Sequence, residues 1–157
     1  MTDKQEPSVT RKRVLPPTYL LVSIVAMVAL RFLFPGRQII PLPWALLGLV
    51  PAVLGLALSI VADRAFKRHG TTVKPFEEST ALVASGAYAI SRHPMYLGFA
   101  LLLLGLAVCL GALTPFLVVP LFVVAMELVF IRTEEQMMEA KFGQSWRDYK
   151  KKVRRWL

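Results

Sequence analysis

The sequence contains few of the residues that build covalent cross-links or metal centres. Its single cysteine, Cys109, excludes a disulfide bond within the chain. Its two histidines come without a cluster of carboxylates, so no metal site is predicted. No Gly-x-Gly-x-x-Gly motif follows a strand pattern, which argues against a cofactor held in a Rossmann fold. These absences leave noncovalent packing and ordinary side-chain chemistry as the means of folding and function.

Charged residues are also missing from long stretches of this chain, which has 157 residues and is 55% hydrophobic. The charge-free stretches are residues 14–30, 38–62 and 94–126. A helix needs about 20 mostly apolar residues to cross a bilayer. The last stretch is too long for one such helix, and Thr114-Pro115 divides it into two short spans. We therefore predict an all-α integral membrane protein with four transmembrane helices, at 18–34, 42–62, 96–113 and 116–131.

The whole chain, 1–157, is expected to form one membrane domain. Its predicted parts are a flexible N-terminus 1–13, a helical hairpin 18–62, a cytoplasmic loop 63–95, a second hairpin 96–131 and an amphipathic C-terminal segment 132–157. The loop contains too many apolar residues for a free tail, so we expect it to fold back onto the membrane face.

The net charge of +9 reflects an uneven distribution of 19 lysine and arginine residues. All but two lie before the first helix, between the hairpins or after the fourth helix; the exceptions are Arg31 and Arg37. The positive-inside rule then places both termini and the loop between the hairpins in the cytoplasm. The bilayer is the expected partner of these charges. Nucleic acid is not expected to bind, and the oligomeric state stays open.

The C-terminal segment has the pattern of an amphipathic helix on the membrane surface. Lysines and arginines crowd one predicted face, and Gly143 is expected to break or bend the helix. The opposite face is apolar or aromatic at steps of three and four residues, namely Met138, Phe142, Trp146, Tyr149, Val153 and Trp156. Such a face favours an interfacial helix with aromatic anchors.

The two short helices of the second hairpin must be antiparallel, because a tight turn joins them. The hairpin therefore returns residues 132–135 to the same membrane face as residues 92–96. Basic, acidic and aromatic side chains are thus predicted to converge where the membrane meets the cytosol. Glu127, about one turn inside the fourth helix, is an intramembrane acid and a candidate functional residue, or else it only reaches the interface.

One side of this convergence suits an anion. Pro94 fits the first turn of a helix, where free N–H groups and the positive end of the helix dipole face the preceding loop. Together with Arg92 and His93, these groups favour a carboxylate or a phosphate.

The other side suits a cation and an aromatic ring. Glu134 and Glu135 favour a positive group, and Tyr88 and Tyr96 can face a cation or stack on a base. A ligand with a carboxylate, an ammonium, a sulfonium and an adenine matches every part, and S-adenosylmethionine is such a ligand. Salt bridges among these residues would equally serve to tie the hairpin together.

Two sequence stretches, GAYAISRHPMYLG and EEQMMEAKFGQSWRDYKKKVRRW, flank this hairpin. In this order they resemble the isoprenylcysteine carboxyl methyltransferase and phospholipid methyltransferase family of membrane enzymes, over about residues 70–157. The matching positions are Gly86, Tyr88, Arg92, His93, Pro94, Tyr96, Gly98, Glu134, Glu135, Phe142, Gly143, Trp146, Tyr149, Val153 and Arg155. The first 70 residues do not match and are expected to shape the acceptor cavity.

The resemblance implies methyl transfer from S-adenosylmethionine to a lipophilic acceptor, a lipid or small molecule dissolved in the membrane. The implied cofactor-binding residues are Tyr88, Arg92, His93, Pro94, Tyr96, Gly98 and Glu134. Glu135 and Arg155 are the expected catalytic residues that orient the acceptor. An arginine suits an acceptor carboxylate, which we favour, whereas a glutamate that deprotonates an amine would suit a phospholipid N-methyltransferase.

Two other classes of protein share part of the pattern. A small four-helix multidrug exporter would use Glu127 as a proton-coupled cation site, but it would not explain the clustering of residues 92–96 with Glu134 and Glu135. A membrane reductase of related C-terminal architecture would bind NADPH instead. Titration with each nucleotide cofactor separates these hypotheses.

Overall fold

The computed structural model describes residues 15–68 and 82–157. Its elements in chain order are α1 (Pro16–Leu33), a 3₁₀ turn (Trp44–Gly48) continuing into α2 (Leu49–Arg68), a second 3₁₀ turn (Gly86–Ala89), α3 (Pro94–Leu110), α4 (Leu113–Met126), a π-turn (Glu127–Ile131) and α5 (Arg132–Lys152). Apart from one isolated bridging pair, these two stretches contain no β-strand. The predicted all-α architecture is confirmed. The predicted flexible segment 1–13 and the middle of the predicted loop lie outside the described residues.

The apolar helices account for the predicted membrane crossings. α1, the stretch Trp44–Lys67 and the stretch that begins with α4 are long and apolar enough to span a bilayer. α3 has 17 residues, at the lower end of the usual range for a spanning helix of roughly 17–25 residues. Large apolar side chains on α1 and α2, Leu21 and Val53 among them, are exposed and so face lipid. Charged residues dominate α5, so the last spanning segment ends at Ile131.

Both ends of the predicted loop 63–95 differ from expectation. α2 continues to Arg68, because Asp63 and Lys67 form an ion pair of 2.6 Å at the i,i+4 spacing that stabilises a helix. α3 begins two residues early, at Pro94, because proline at the first helical position lacks only an N–H group that has no partner there. The connection between the helices is correspondingly shorter.

Glycines bring α2 and α3 into backbone contact. A Cβ added at Gly55 would lie 2.4 Å from the carbonyl oxygen of Gly98, and one added at Gly105 would lie 2.4 Å from the backbone nitrogen of Ala52. Gly48 meets α3 in the same way, one heptad before Gly55. Close approach through small residues is how helices associate in lipid, where apolar side chains gain little by leaving the solvent. We call this contact the glycine seam.

The turn after α3 produces the predicted antiparallel hairpin. Gly111 ends α3 with φ 66°, a left-handed conformation that glycine adopts without a Cβ clash, and its N–H donates to the carbonyl of Ala107 at 3.0 Å. Arg31 of α1 donates its Nε to the carbonyl of Leu110, also at 3.0 Å. α4 then returns beside α3, and the buried core lies between these helices and α1.

Gly143 interrupts α5, as predicted, with φ 50° and ψ −117°. Trp146, Tyr149 and Val153 pack together beyond the break, as their spacing indicated. The prediction that Trp156 shares this face is wrong. α5 ends at Lys152 and Val153 is extended (φ −121°, ψ 130°), so Trp156 leaves the helical face and packs against the core between α1, α3 and α4.

Candidate active site

Charged side chains from three segments meet at the N-terminal end of α3. The loop before α3 supplies Arg92 and His93, the start of α5 supplies Glu134 and Glu135, and the extended C-terminal segment supplies Arg155. The convergence of the two ends of the second hairpin, predicted from its length and tight turn, is therefore confirmed. We call these five residues the charged cluster.

His93 lies between the two glutamates of the cluster. Its Nδ1 is 3.5 Å from Oε2 of Glu134, and its Nε2 is 3.4 Å from Oε1 of Glu135. The imidazole also stacks on the ring of Tyr96, with a centroid distance of 5.8 Å. Burial lowers the pKa of His93, but the two neighbouring carboxylates outweigh burial and raise this pKa above its ordinary 6.5. The histidine thus favours its charged form.

Glu134 is oriented by Tyr96, whose hydroxyl donates to Oε1 of Glu134 at 2.6 Å. The Glu134 side chain is 22% exposed, whereas that of Glu135 is only 7% exposed. Glu134 is therefore the carboxylate of the pair that remains open to a ligand cation.

Glu135 is a buried carboxylate surrounded by cations. Arg155 donates Nε to Oε1 at 3.0 Å and Nη2 to Oε2 at 2.5 Å, and Nη1 of Arg92 lies 3.3 Å from Oε1. Burial raises the pKa of Glu135, but His93, Arg155 and Arg92 outweigh it and hold this pKa at about 2. Glu135 is accordingly ionised at neutral pH and is suited to fixing a cation, not to accepting a proton.

Arg155 has a second carboxylate partner, Glu127. From the sequence, Glu127 was a candidate functional residue, or else an acid that only reaches the interface, and no partner was predicted for it. Nη1 of Arg155 donates to Oε1 of Glu127 at 2.5 Å, and Arg132 lies 3.6 Å from the same oxygen. Only the presence of an acid in an apolar helix pointed to Glu127. Nothing in the residue spacing indicated its partner, since the pair is separated by 28 residues.

The backbone around Arg155 is tied to the loop before α3. The N–H of Arg92 donates to the carbonyl of Arg154 at 2.9 Å, and Oγ of Ser91 donates to the carbonyl of Arg155 at 3.0 Å. The same Oγ accepts the N–H of His93 at 3.2 Å. Ser91 was not among the predicted site residues, although it lies inside the motif. We call residues 153–157 the C-terminal strap, since these bonds hold them across the site.

Three predicted cofactor residues lie beside the cluster without joining its ion pairs. Pro94 is buried in the first turn of α3, as predicted. The ring of Tyr88 packs on Phe66 at 4.9 Å, and its carbonyl accepts the hydroxyl of Tyr149 at 2.6 Å. Gly98 faces α2, where an added Cβ would lie 2.2 Å from Oγ of Ser59. The structure thus gives Gly98 a role in the glycine seam.

Buried donors in the cluster are available to an anion. Among the residues that the structure describes, Nε of Arg92 is buried without a hydrogen-bond partner. Nη1 of Arg92 and Nε2 of His93 also lack a hydrogen bond, but they form ion pairs with Glu135 at 3.3 Å and 3.4 Å. Buried N–H groups normally have hydrogen-bond partners, so these donors beside the N-terminus of α3 are suited to a carboxylate or phosphate. With Glu134 partly exposed, the cluster is suited to a ligand that carries both a carboxylate and an ammonium.

An open cleft of about 380 Å³ reaches the cluster from the surface. Its lining residues are Arg132, Glu135, Gln136, Glu139, Lys150 and Arg155. Polar ligands therefore have a route to the Glu135–Arg155 pair.

Fold and site together define an all-α integral membrane protein with a cluster of charged side chains at the end of its second hairpin. The chain belongs to the phospholipid methyltransferase family, which matches residues 44–145. The family resemblance seen in the sequence motifs is thus confirmed.

Two individual relatives each match part of the chain. The chain is 43% identical to an uncharacterized protein of Haemophilus influenzae over 63 residues, which are 40% of this chain and the whole of that protein. It is 39% identical over 72 residues to the protein-S-isoprenylcysteine O-methyltransferase of Schizosaccharomyces pombe, covering 46% of this chain and 30% of that enzyme.

A solved structure shares the fold. The eukaryotic intramembrane Ras methyltransferase, an isoprenylcysteine carboxyl methyltransferase, superimposes with a TM-score of 0.63 and 24% identity. The match covers 90% of this chain and 51% of that one. The matched residues therefore span about half the length of the known structure and 30% of the yeast enzyme.

Proposed function

We propose that this protein transfers a methyl group from S-adenosylmethionine to a carboxylate on a lipophilic acceptor dissolved in the membrane. The observation that carries the proposal is the set of buried donors on Arg92 and His93 that lack hydrogen bonds, next to the partly exposed carboxylate of Glu134. Membership of a methyltransferase family supports it. The arginine- and lysine-rich segments favour a site and termini on the cytoplasmic side of a single membrane domain.

The cluster would hold the cofactor by its amino-acid end. Arg92, His93 and the free N–H groups of the first turn of α3 would bind the carboxylate, and Glu134 would bind the ammonium. Tyr96 keeps Glu134 in place through its hydrogen bond. When bound, the cofactor supplies a methyl group already activated by its sulfonium, so the protein has mainly to position the reacting groups.

Arg155 would hold the acceptor. Its guanidinium has five N–H donors, and three of them are used by Glu135 and Glu127. One N–H on each terminal nitrogen remains, which is the number that a carboxylate accepts in a two-bond pair. The Arg155 side chain is 36% exposed, so an acceptor can reach it.

An amine acceptor is the second candidate, and one observation favours it. Two carboxylates, Glu127 and Glu135, already share the guanidinium of Arg155, which makes this side of the site more attractive to a cation than an unpaired arginine would be. The lowered pKa of Glu135 argues against its service as the base that such a reaction needs. We therefore keep the carboxylate as the proposed acceptor.

The test uses purified protein and two acceptors of opposite type. S-adenosylhomocysteine, the demethylated cofactor, should raise the melting temperature by mass action, whereas NADPH should not. Protein in vesicles then receives methyl-labelled cofactor with either N-acetyl-S-farnesylcysteine or phosphatidylethanolamine. A labelled product that releases methanol in mild alkali is the expected methyl ester. Alkali-stable label would replace the carboxylate with the amine, and no thermal shift at millimolar ligand would falsify the cofactor assignment.

A further inference from the structure

Glu127 is a largely buried acid whose charge is energetically unfavourable near the membrane unless a partner compensates for it. It is the first residue of the π-turn at the end of the last spanning segment, and its side chain is only 19% exposed. A charged carboxylate near the hydrocarbon region is unfavourable unless a cation accompanies it. Arg155 provides that cation through its Nη1, and Arg132 lies further away at 3.6 Å.

The π-turn decides which glutamate shares a face with Glu127. An α-helix rotates by about 100° per residue, so an uninterrupted helix would place Glu127 within about 20° of Glu134 and about 80° from Glu135. A π-turn accommodates one extra residue and so shifts the phase by about one residue, or about 100°. Glu135 then comes within about 20° of Glu127, and Glu134 turns toward Tyr96, as its hydrogen bond shows.

This alignment allows one guanidinium to bridge both carboxylates. Glu135 binds one edge of Arg155 through Nε and Nη2, and Glu127 binds the remaining terminal nitrogen. The planar group is thereby held at two points, which prevents its rotation about the long side chain. Its two unused N–H groups consequently keep a constant direction.

We propose that Glu127 is a positioning residue that holds Arg155 in the orientation needed to bind the acceptor, and that the π-turn exists to align it. The proposal rests on the proposed function in the role that it gives Arg155. Glu127 itself touches neither cofactor nor acceptor in this scheme. Its loss should therefore weaken acceptor binding and leave cofactor binding unchanged.

The first experiment separates these two effects. Glu127→Ala should raise the KM for N-acetyl-S-farnesylcysteine. The rise should reach at most roughly 10- to 150-fold, which corresponds to complete loss of one charge-assisted hydrogen bond between Arg155 and the acceptor. The dissociation constant for S-adenosylhomocysteine should stay within about twofold of wild type, a difference below about 0.4 kcal/mol. Glu127→Gln retains an acceptor oxygen and should recover part of the acceptor affinity. Asp148→Asn, in an exposed pair with Lys151 at 3.2 Å, is the matched control.

The second experiment measures Arg155 without any turnover. Phenylglyoxal reacts with accessible guanidinium groups, and mass spectrometry of the peptides reports the rate at each arginine. In wild type, Arg155 should react slowly because two carboxylates hold it; in Glu127→Ala it should react several-fold faster. Arg147, which pairs with Glu139 at 3.1 Å, should keep its rate.

The outcomes distinguish the proposals. A Glu127→Ala protein with the wild-type acceptor KM and the wild-type labelling rate would overturn the positioning role. Equal loss of cofactor and acceptor binding, with unchanged labelling of Arg155, would overturn it in favour of a general effect on folding. If wild type methylates neither acceptor while Glu127→Ala still accelerates labelling at Arg155, the proposed function fails and the control of Arg155 by Glu127 stands.

Discussion

α3 makes two kinds of contact that differ in almost every respect. Along its length it meets α2 through the glycine seam, where the backbones approach closely beside small side chains such as that of Ser59. At its N-terminal end it meets α5 and the C-terminal strap through the charged cluster, where long side chains form the ion pairs and the backbone of the strap bonds to Ser91 and Arg92. The seam leaves no room for a ligand, whereas the cluster has donors and a carboxylate that are able to bind one.

The difference follows from the surroundings of each contact. Within the bilayer, helices gain stability from close packing, and a polar group without a partner would be costly. At the interface, charged groups stabilise one another while water remains accessible through the cleft. Substitutions in the seam should therefore act on folding, and substitutions in the cluster should act on binding. The following predictions test that division, beginning with the largest expected effect.

Gly55→Leu should prevent folding. A side chain there must displace the backbone of α3, since even a Cβ would lie 2.4 Å from the carbonyl oxygen of Gly98. Val53→Leu adds a single carbon on the lipid-facing side of the same helix, where 63% of the residue is exposed, and should leave the protein folded. Size-exclusion chromatography and thermal unfolding in detergent provide the measurement. If both variants elute and unfold like wild type, the close packing of α2 against α3 at Gly55 is refuted.

Arg155→Ala should abolish methyl-ester formation while leaving the protein folded. It removes the group proposed to hold the acceptor and leaves the buried Glu135 without its two-point partner. Arg155→Lys should also be severely impaired, because an ammonium cannot replace a planar fork of donors. The readout is alkali-labile methyl label on N-acetyl-S-farnesylcysteine. Full activity in the lysine variant would rule out the bidentate role.

His93→Ala and Glu134→Gln should each weaken binding of S-adenosylhomocysteine. Loss of a charge-assisted hydrogen bond costs about 1.5–3 kcal/mol, or roughly 10- to 150-fold in affinity. Isothermal titration of purified protein gives the dissociation constants, with Asp148→Asn as the exposed control. A comparable loss in the control would show that the cofactor lies elsewhere.

The smallest expected effect is a pH dependence of stability caused by His93. Its folded-state pKa is raised above 6.5, so its charged form stabilises the fold. This contribution is complete below pH 6.5 and is lost as the pH rises through the raised pKa. Glu135 remains ionised throughout this window, because its pKa is about 2. As the pH rises above 6.5, the melting temperature should fall less steeply in His93→Gln than in wild type. Parallel curves of melting temperature against pH would contradict the assignment.

Much of the fold could be predicted because each spanning helix must be apolar and long enough to cross the bilayer, and both properties can be read from a short stretch of sequence. Apolar runs of limited length indicated where the helices lie. The tight turn that makes the hairpin antiparallel was predicted at Thr114-Pro115 but lies at Gly111-Ala112, and Thr114-Pro115 belong to the first turn of α4. That geometry was sufficient to bring Arg92 and His93 to Glu134 and Glu135 before any coordinates were known. The kink at Gly143 was likewise a local property, since glycine tolerates φ 50°.

Contacts between distant segments could not be predicted in the same way. The helical periodicity that placed Trp156 on the apolar face of α5 ceased to apply once the chain became extended at Val153. Gly98 belongs to the sequence motif, yet the helix that approaches it comes from the half of the chain without motif residues. Such pairings depend on how helices pack, which a local pattern does not specify.

The sequence by itself determined the helices, their order and the arrival of opposite charges at one end of the hairpin, because hydrophobic length and charge placement act through the bilayer on each segment separately. Only the tertiary structure decided which charges pair. A single π-turn rotates Glu127 into line with Glu135, and the strap's hydrogen bonds to Ser91 and Arg92 place Arg155 between them. The rotation and the strap depend on long-range contacts, so these pairings exist only once the helices have packed.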